Sequence, residues 1–352
     1  MRTFLTGALL LLLVATSCDT TKSKGFNPVT GKVGEILVVT DNSIWESDLK
    51  MCLDTNLTQW IMPYFPDVAT FQLIHKTPTR FKEGVKRYRN ILFLNIDPNF
   101  NGNTGKIVKR KDVWAHGQMV VEITAKDYDM LERTCAAGLY KVHDIFDDIS
   151  WRRLIDHFGG NDNRAVQKEI KKQFGINVVL PSHSSIITKK KNFYRIEFPA
   201  SSRPIEFEGM GKTEDVGLVL SGLMIYQYDY YDSTQFEFDQ LLRDRDTILK
   251  HYVPHEIEGL YMGTQYAKII YPEGNVAESA DGKVKGYDLR GMFMFTGKDI
   301  HSTGGAFWEF HFKHPKRKKM MCLSGYLDAP PTTSWTHPIR EIQAILRSVT
   351  IE

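Results

Sequence analysis

Few residues of this chain have a type and spacing that could do chemistry, and the clearest is Cys18. It ends an apolar run, MRTFLTGALLLLLVATSCDTTKSKG, in which Arg2 is the only charge before Asp19. Ala15, Thr16 and Ser17 make a small-residue approach to the thiol. The run falls short of the roughly 20 apolar residues that span a bilayer, and it has the order of an export signal. The chemistry predicted is cleavage before Cys18 and acylation of its sulfur. Residues 1–17 are then a signal peptide and 18–34 a polar tether. An aliphatic residue larger than Ala15 is commoner at that place, and an ordinary signal peptide containing Cys18 is the plainer reading.

Two carboxylates stand where ligands bind in α/β proteins. Asp41 closes the apolar run EILVVTD and Asp97 closes NILFLNID. If these strands are parallel neighbours, both acids reach the carboxyl edge and could hold Mg²⁺ or Ca²⁺. Turn chemistry accounts for the same positions, because Asp41 precedes a helix and Asp97 precedes Pro98. His301, His311 and His314 lie close in sequence. Residues three apart on a strand face opposite ways, so these read as surface histidines rather than zinc ligands. No GxSxG, HExxH or glycine-rich phosphate loop occurs.

Arg245 is the unexpected charge. A helix over 236–252 has an apolar stripe of Phe238, Leu241, Leu242, Ile248, Leu249 and Tyr252, and Arg245 falls near its centre. A buried guanidinium needs partners. The reading preferred is an ion pair with an acid from a sheet, with an anion site as the alternative. Asp244 and Asp246 project from other sides of the helix. Cys52 and Cys135 fall mid-stripe on helical patterns and Cys322 lies in the apolar run MMCL, so all three are expected as buried free thiols. Basic clusters at Lys106–Lys111, Lys189–Lys191 and Lys313–Lys319 read as solvated loop tips, with lipid headgroups as the alternative partner. YQYDYYD at 226–232 reads as half-core strand rather than a sugar platform.

These residues need elements to hold them. Strands are predicted at 35–41, 70–76, 90–97 and 118–124. One helix runs from Asn42 to Pro63, and a long one from about 127 to 158 breaks near Asp147–Ser150. Residues 161–175 read as a short helix ended by a glycine. The second half offers strands at 176–188, 192–198, 218–230, 259–271, 288–296, 305–313 and 319–328, with helices at 236–252 and 337–348. AFWEFHFK alternates, with Ala306, Trp308, Phe310 and Phe312 on a covered face and Phe307, Glu309, His311 and Lys313 on a wetter one. The class expected is α+β: an N-terminal α/β domain over 35–175, then a C-terminal α+β domain with an antiparallel sheet over 176–352.

The formal net charge is +3 and drops to +2 without Arg2, which leaves no global field to draw nucleic acid. After Val14 no apolar run is long enough for a membrane span.

The stretches RDRDTILKHYVPHEIEGLYM, DLRGMFMFTG, GGAFWEFHF, GYLDAP and PIREIQAIL resemble a Bacteroidetes lipoprotein family known only as a domain of unknown function. EILVVTD, RNILFLNID and the WAHGQ stretch fit the same family, over nearly the whole chain. Ala306 departs from a Pro in its pattern. The resemblance implies an envelope lipoprotein and carries over no catalytic residue. The expectation is therefore a non-catalytic binding or scaffolding protein without cofactors. It is anchored by lipid, on the periplasmic face of the outer membrane, with an envelope protein or glycan as partner. The alternative is a periplasmic hydrolase, divalent-metal assisted, acting on cell-wall or glycan material.

Overall fold

EILVV enters the structure as a strand with all five residues buried, the outcome of a β-branched run too apolar for a surface. The computed structural model describes residues 27–160, 163–207, 211–297 and 300–351. Cys18 and the signal segment lie outside them.

The first half contains β1 (Glu35–Val39), α1 (Asn42–Trp45), α2 (Leu49–Leu57), β2 (Gln72–Lys76), α3 (Glu83–Lys86), β3 (Asn90–Ile96), β4 (Lys106–Lys111), β5 (Met119–Ala125) and α4 (Tyr128–Gly159). Its sheet has the order β2-β1-β3-β5-β4, parallel except for the edge strand β4. Helices α2 and α4 cover one face through Leu49, Leu53, Leu57, Leu131, Cys135, Leu139, Val142 and Phe146.

The second half contains α5 (Arg164–Phe174), β6 (Ile176–Asn177), β7 (Ser185–Lys190), β8 (Phe193–Glu197), β9 (Ser201–Phe207), β10 (Gly211–Asp229), α6 (Phe238–Tyr252), β11 (Tyr261–Thr264), β12 (Glu273–Glu278), β13 (Lys285–Gly297), β14 (Ile300–Lys313), β15 (Lys319–Asp328), α7 (Thr336–Arg347) and β16 (Thr350–Ile351). An antiparallel sheet runs β11-β13-β14-β15-β10-β8-β7, with β12 beside β13 and β9 beside β10. The chain is an α+β protein.

Several expectations need correction. The helix after Asp41 is two pieces, because the Ser47 hydroxyl donates to the Ile44 carbonyl and accepts from the Leu49 N–H, ending one turn and starting the next. Helix α4 is unbroken. The Asp127 carboxylate caps its start, and Ser150 simply donates back to Phe146 within the helix. Lys106–Lys111 is an edge strand rather than a loop tip; its Arg110 pairs with Glu122 of β5, and charges at an edge discourage further strand pairing.

The largest correction concerns the second sheet, whose central strands β14 and β15 have no wet face. α6 covers the side of Met224, Tyr226, Phe307 and Cys322. α7, α5 and the C-terminal end of α4 cover the other, against Trp308, Phe310, Phe312 and Leu323. Residues 306–312 are therefore buried on both faces. Trp151, Leu154 and Phe158 of α4 belong to this second core, and so do Ile170 and Phe174 of α5. α4 is thus shared by both sheets, and the expected boundary at 175 falls after a helix that already packs with the second half.

Candidate functional site

Arg245 meets Glu309 of β14 beneath α6, and His311 and Cys322 adjoin that pair. Leu241, Leu242, Arg245 and Leu249 are the buried side of that helix. Arg245 has no exposed surface, and its Nε donates to Glu309 Oε1 at 3.0 Å. Its Nη1 donates to Thr264 Oγ1 at 2.7 Å, and the guanidinium lies 3.8 Å from the centre of the Phe307 ring. Asp246 is drawn in as well, since its Oδ1 accepts from the Thr264 N–H and hydroxyl and lies 3.5 Å from Arg245 Nη1. A sequence neighbour thus joins the Arg245 network from a side of the helix that periodicity places elsewhere.

Glu309 and His311 point to the same face of β14, and His311 sits opposite Cys322 in the β14–β15 register. His311 Nε2 is 2.8 Å from Glu309 Oε2 and 3.6 Å from Cys322 Sγ. Tyr226 donates to Glu309 Oε1 at 3.5 Å. Burial pushes the Glu309 carboxyl up, but Arg245 and His311 outweigh it and hold it below its ordinary value. Burial, reinforced by Glu309, pushes the Cys322 thiol well above its own.

This arrangement is not a nucleophilic relay. A relay needs the imidazole between thiol and carboxylate, one at each nitrogen. Here Nε2 faces both, Nδ1 has no partner, and the thiol stays protonated. Glu309, His311 and Cys322 nevertheless bring an oxygen, a nitrogen and a sulfur within 4.8 Å of one another, the one such group among the described residues.

The other predicted positions do not converge. β1 and β3 are parallel neighbours, so Asp41 and Asp97 follow adjacent strands. Asp97 Oδ1 accepts the Asn99 N–H at 2.9 Å, and Asp41 stands at the start of α1. Neither belongs to a cluster of metal-ligand type among the described residues. His311 and His314 are buried, not surface, at 0% and 2% exposure. The side chain of His301 lies outside the described residues. Cys135 and Cys322 are buried, whereas Cys52 is only half-buried. Tyr226, Tyr228 and Tyr230 pack under α6.

A site reachable by solvent lies along the seam between the halves, and α7 builds it. Ile339, Ile342, Ala344, Ile345 and Leu346 bury the helix against the second sheet. Thr336, Arg340, Gln343 and Arg347 recur at four, three and four residues, a polar stripe on one side. Arg340 is 1% exposed; it pairs with Asp147 of α4 and donates to the Thr70 carbonyl at 2.9 Å. Arg347 donates to the Glu278 carbonyl at 3.3 Å. From the sheet, Arg290 stands across from Trp308 in register, its guanidinium 5.3 Å from that ring. These side chains, with Asp288, Trp60 and His143, line a cavity of ≈ 270 Å³. A second of ≈ 280 Å³ shares Asp147 and Arg347. At the other end of α7 a cavity of ≈ 580 Å³ is lined by Lys32, Arg89, Arg203, Thr336 and His337 against Glu35.

The seam holds three guanidinium groups with an unmet donor. The Nε groups of Arg290, Arg340 and Arg347 are buried without a hydrogen-bond partner. Burial pushes the Asp288 carboxyl up, and Arg347, Trp308 and Arg290 only partly counter it. Trp60 and Val276 line the same cavity, and both are exposed to solvent. Sequence reasoning missed this cleft. The signal present was the four-three-four spacing of polar residues inside THPIREIQAILR.

Residues 163–348 match the family model described as Domain of unknown function (DUF4837), and residues 29–158 match that described as Domain of unknown function (DUF8532). No curated protein matches the chain. Among solved structures it is similar to the 1.9 Å crystal structure of the Saccharomyces cerevisiae Ran-binding protein Mog1p, at 8% identity and a TM-score of 0.31, over 50% of this chain and 90% of that one. It is also similar to a mutant of protein Mog1, at 10% identity and a TM-score of 0.28, with the same coverage.

Proposed function

This chain belongs to the family described as Domain of unknown function (DUF4837), and we propose that it is a lipid-anchored envelope protein that binds an acidic glycan in the seam along α7 without turning it over. The observation that carries the reading is the set of arginines 290, 340 and 347, whose buried Nε groups lack partners in a cleft that also holds Trp60 and Trp308. Arginine forks suit carboxylates and phosphates, and tryptophan faces suit sugar rings. The lipid anchor rests on Cys18 and the apolar run before it. Among the described residues no helix is long and apolar enough to cross a membrane, so acylation at Cys18 would supply attachment. The anchor is assigned to the periplasmic face of the outer membrane, because only Asp19 follows Cys18 closely as an acid.

Calorimetric titration with uronate-bearing and neutral oligosaccharides of equal length tests the binding half. Uronate binding should weaken at least about tenfold in Arg347→Gln and Arg290→Gln, about 1.4 kcal/mol. Equal binding of neutral and acidic oligosaccharides, or no loss in either variant, contradicts the proposal. Mass spectrometry of the membrane-extracted protein tests the anchor: an unmodified N-terminus contradicts it.

The hydrolase reading keeps one supporting observation. Asp288 has a raised pKa in a cleft, the property of a general acid. Glycan cleavage by the wild type that is lost in Asp288→Asn would favour it.

A further inference from the structure

We propose that Glu309, His311 and Cys322 form a closed site for a zinc-type divalent cation beneath α6. The antiparallel register puts His311 opposite Cys322 and leaves Glu309 two residues away on the same face. All three side chains have no exposed surface. Zinc bonds of about 2.0–2.1 Å to nitrogen, 2.3 Å to sulfur and 2.0–2.2 Å to oxygen, at tetrahedral angles, require N···S edges of about 3.6 Å and N···O edges of about 3.4 Å. The Nε2···Sγ distance is 3.6 Å. The Nε2···Oε2 distance is 2.8 Å, which a small rotation of the Glu309 carboxylate opens to the required edge.

The surroundings suit an ion as well. One ring nitrogen faces both other donor atoms, which is convergence on a point rather than a donor-to-acceptor chain. Arg245 holds the second oxygen of Glu309 at 3.0 Å, as outer partners of metal-bound carboxylates do. Asp246, 3.5 Å from Arg245, offsets that cation, so the carboxylate and a thiolate remain to balance the two charges of the ion. The Cys322 thiol gives its proton to solvent as the ion binds. The Tyr226 hydroxyl donates to Glu309 Oε1 at 3.5 Å, beside Arg245 on the oxygen that faces away from His311. Mixed sulfur, nitrogen and oxygen donors select zinc over magnesium or calcium, and full enclosure makes the site structural rather than catalytic.

The test uses the full-length mature chain, unfolded with chelator and refolded with Co²⁺ as a spectroscopic probe, because α6 seals the site. One equivalent of Co²⁺ should produce a thiolate-to-cobalt charge-transfer band, which is absent when one equivalent of Zn²⁺ is present from the start of refolding. Cys135→Ser should keep the band and Cys322→Ser should lose it. His311→Gln should weaken binding at least about a hundredfold. Since Cys322→Ser could fail to fold, the wild type alone also decides: refolding with Zn²⁺ should raise its urea midpoint over refolding with chelator. No charge-transfer band, a band that persists in a folded Cys322→Ser protein, or an unchanged urea midpoint each overturns the proposal.

Discussion

Replacing Arg245 by Met strands a carboxylate, and the cost can be worked from the contacts. Arg245 and Glu309 are both without exposed surface, and their pair distance is 3.0 Å. Met fills much of the volume over Phe307, so the loss is mainly electrostatic. Removing one member of a buried pair costs about 3–5 kcal/mol, because the remaining charge is neither solvated nor paired. At about 2–4 °C per kcal/mol for a large domain, the melting temperature should fall by on the order of 10 °C. The sign with pH follows from linkage. In the wild type the Glu309 pKa is lowered, so its contribution is full at neutral pH and fades as pH falls through the carboxylate range. Without Arg245 the burial effect dominates and the pKa rises, so the variant regains ground on acidification as Glu309 takes a proton. Urea unfolding followed by circular dichroism, at neutral and mildly acidic pH, measures both effects. Arg243→Met is the control, since Arg243 is exposed and donates only to Gln240. Combining Arg245→Met with Glu309→Gln should recover part of the loss. A cost below about 1 kcal/mol, equal to that of the control and flat with pH, would show that the guanidinium is not paired in the core.

Three further outcomes follow from the same geometry. Under native conditions a thiol reagent should label Cys52 first, because Cys52 is half-buried while Cys135 and Cys322 are sealed and burial pushes the Cys135 thiol up to about 12; labelling of Cys135 ahead of Cys52 would contradict the burial pattern. Asp288 has a folded pKa above its ordinary 3.8, so ionising it costs stability as pH rises through that range; Asp288→Asn should be more stable than the wild type at neutral pH and no more stable in acid, by urea midpoints. Gly305→Ala should cost more than about 2 kcal/mol, since its Cβ would sit 1.9 Å from the Leu327 carbonyl oxygen, whereas Gly84→Ala, with nothing within 4 Å, should be neutral or gain up to about 1 kcal/mol in thermal melts.

Local periodicity was enough to place some of these elements. EILVV reads as a buried strand because it has no polar face to offer. The α4 stripe of Leu131, Cys135, Leu139, Val142 and Phe146 reads from a spacing near 3.6 residues, as does the stripe of α6 with Arg245 inside it. The Gly304-Gly305 pair was visible as a motif, but its reason was not: β14 is held so close to β13 and β15 that added Cβ atoms would meet the Phe293 and Leu327 carbonyls.

What tertiary structure alone decided is which faces are covered and who meets whom. Alternation assigned Glu309 and His311 to one side of β14 and could say nothing about α6, which lies more than fifty residues earlier and roofs that side. Burial turned two residues expected near water into partners of Arg245 and Cys322, and the β14–β15 register chose Cys322. The seam cleft is less local still. It needs Arg340 and Arg347 from α7, Arg290 from β13 and Asp147 from the far part of α4, and no period in the chain relates those positions. A side chain's period reports the geometry of its own element. Its burial and charge partners are set by elements packed against it, which sequence spacing does not record.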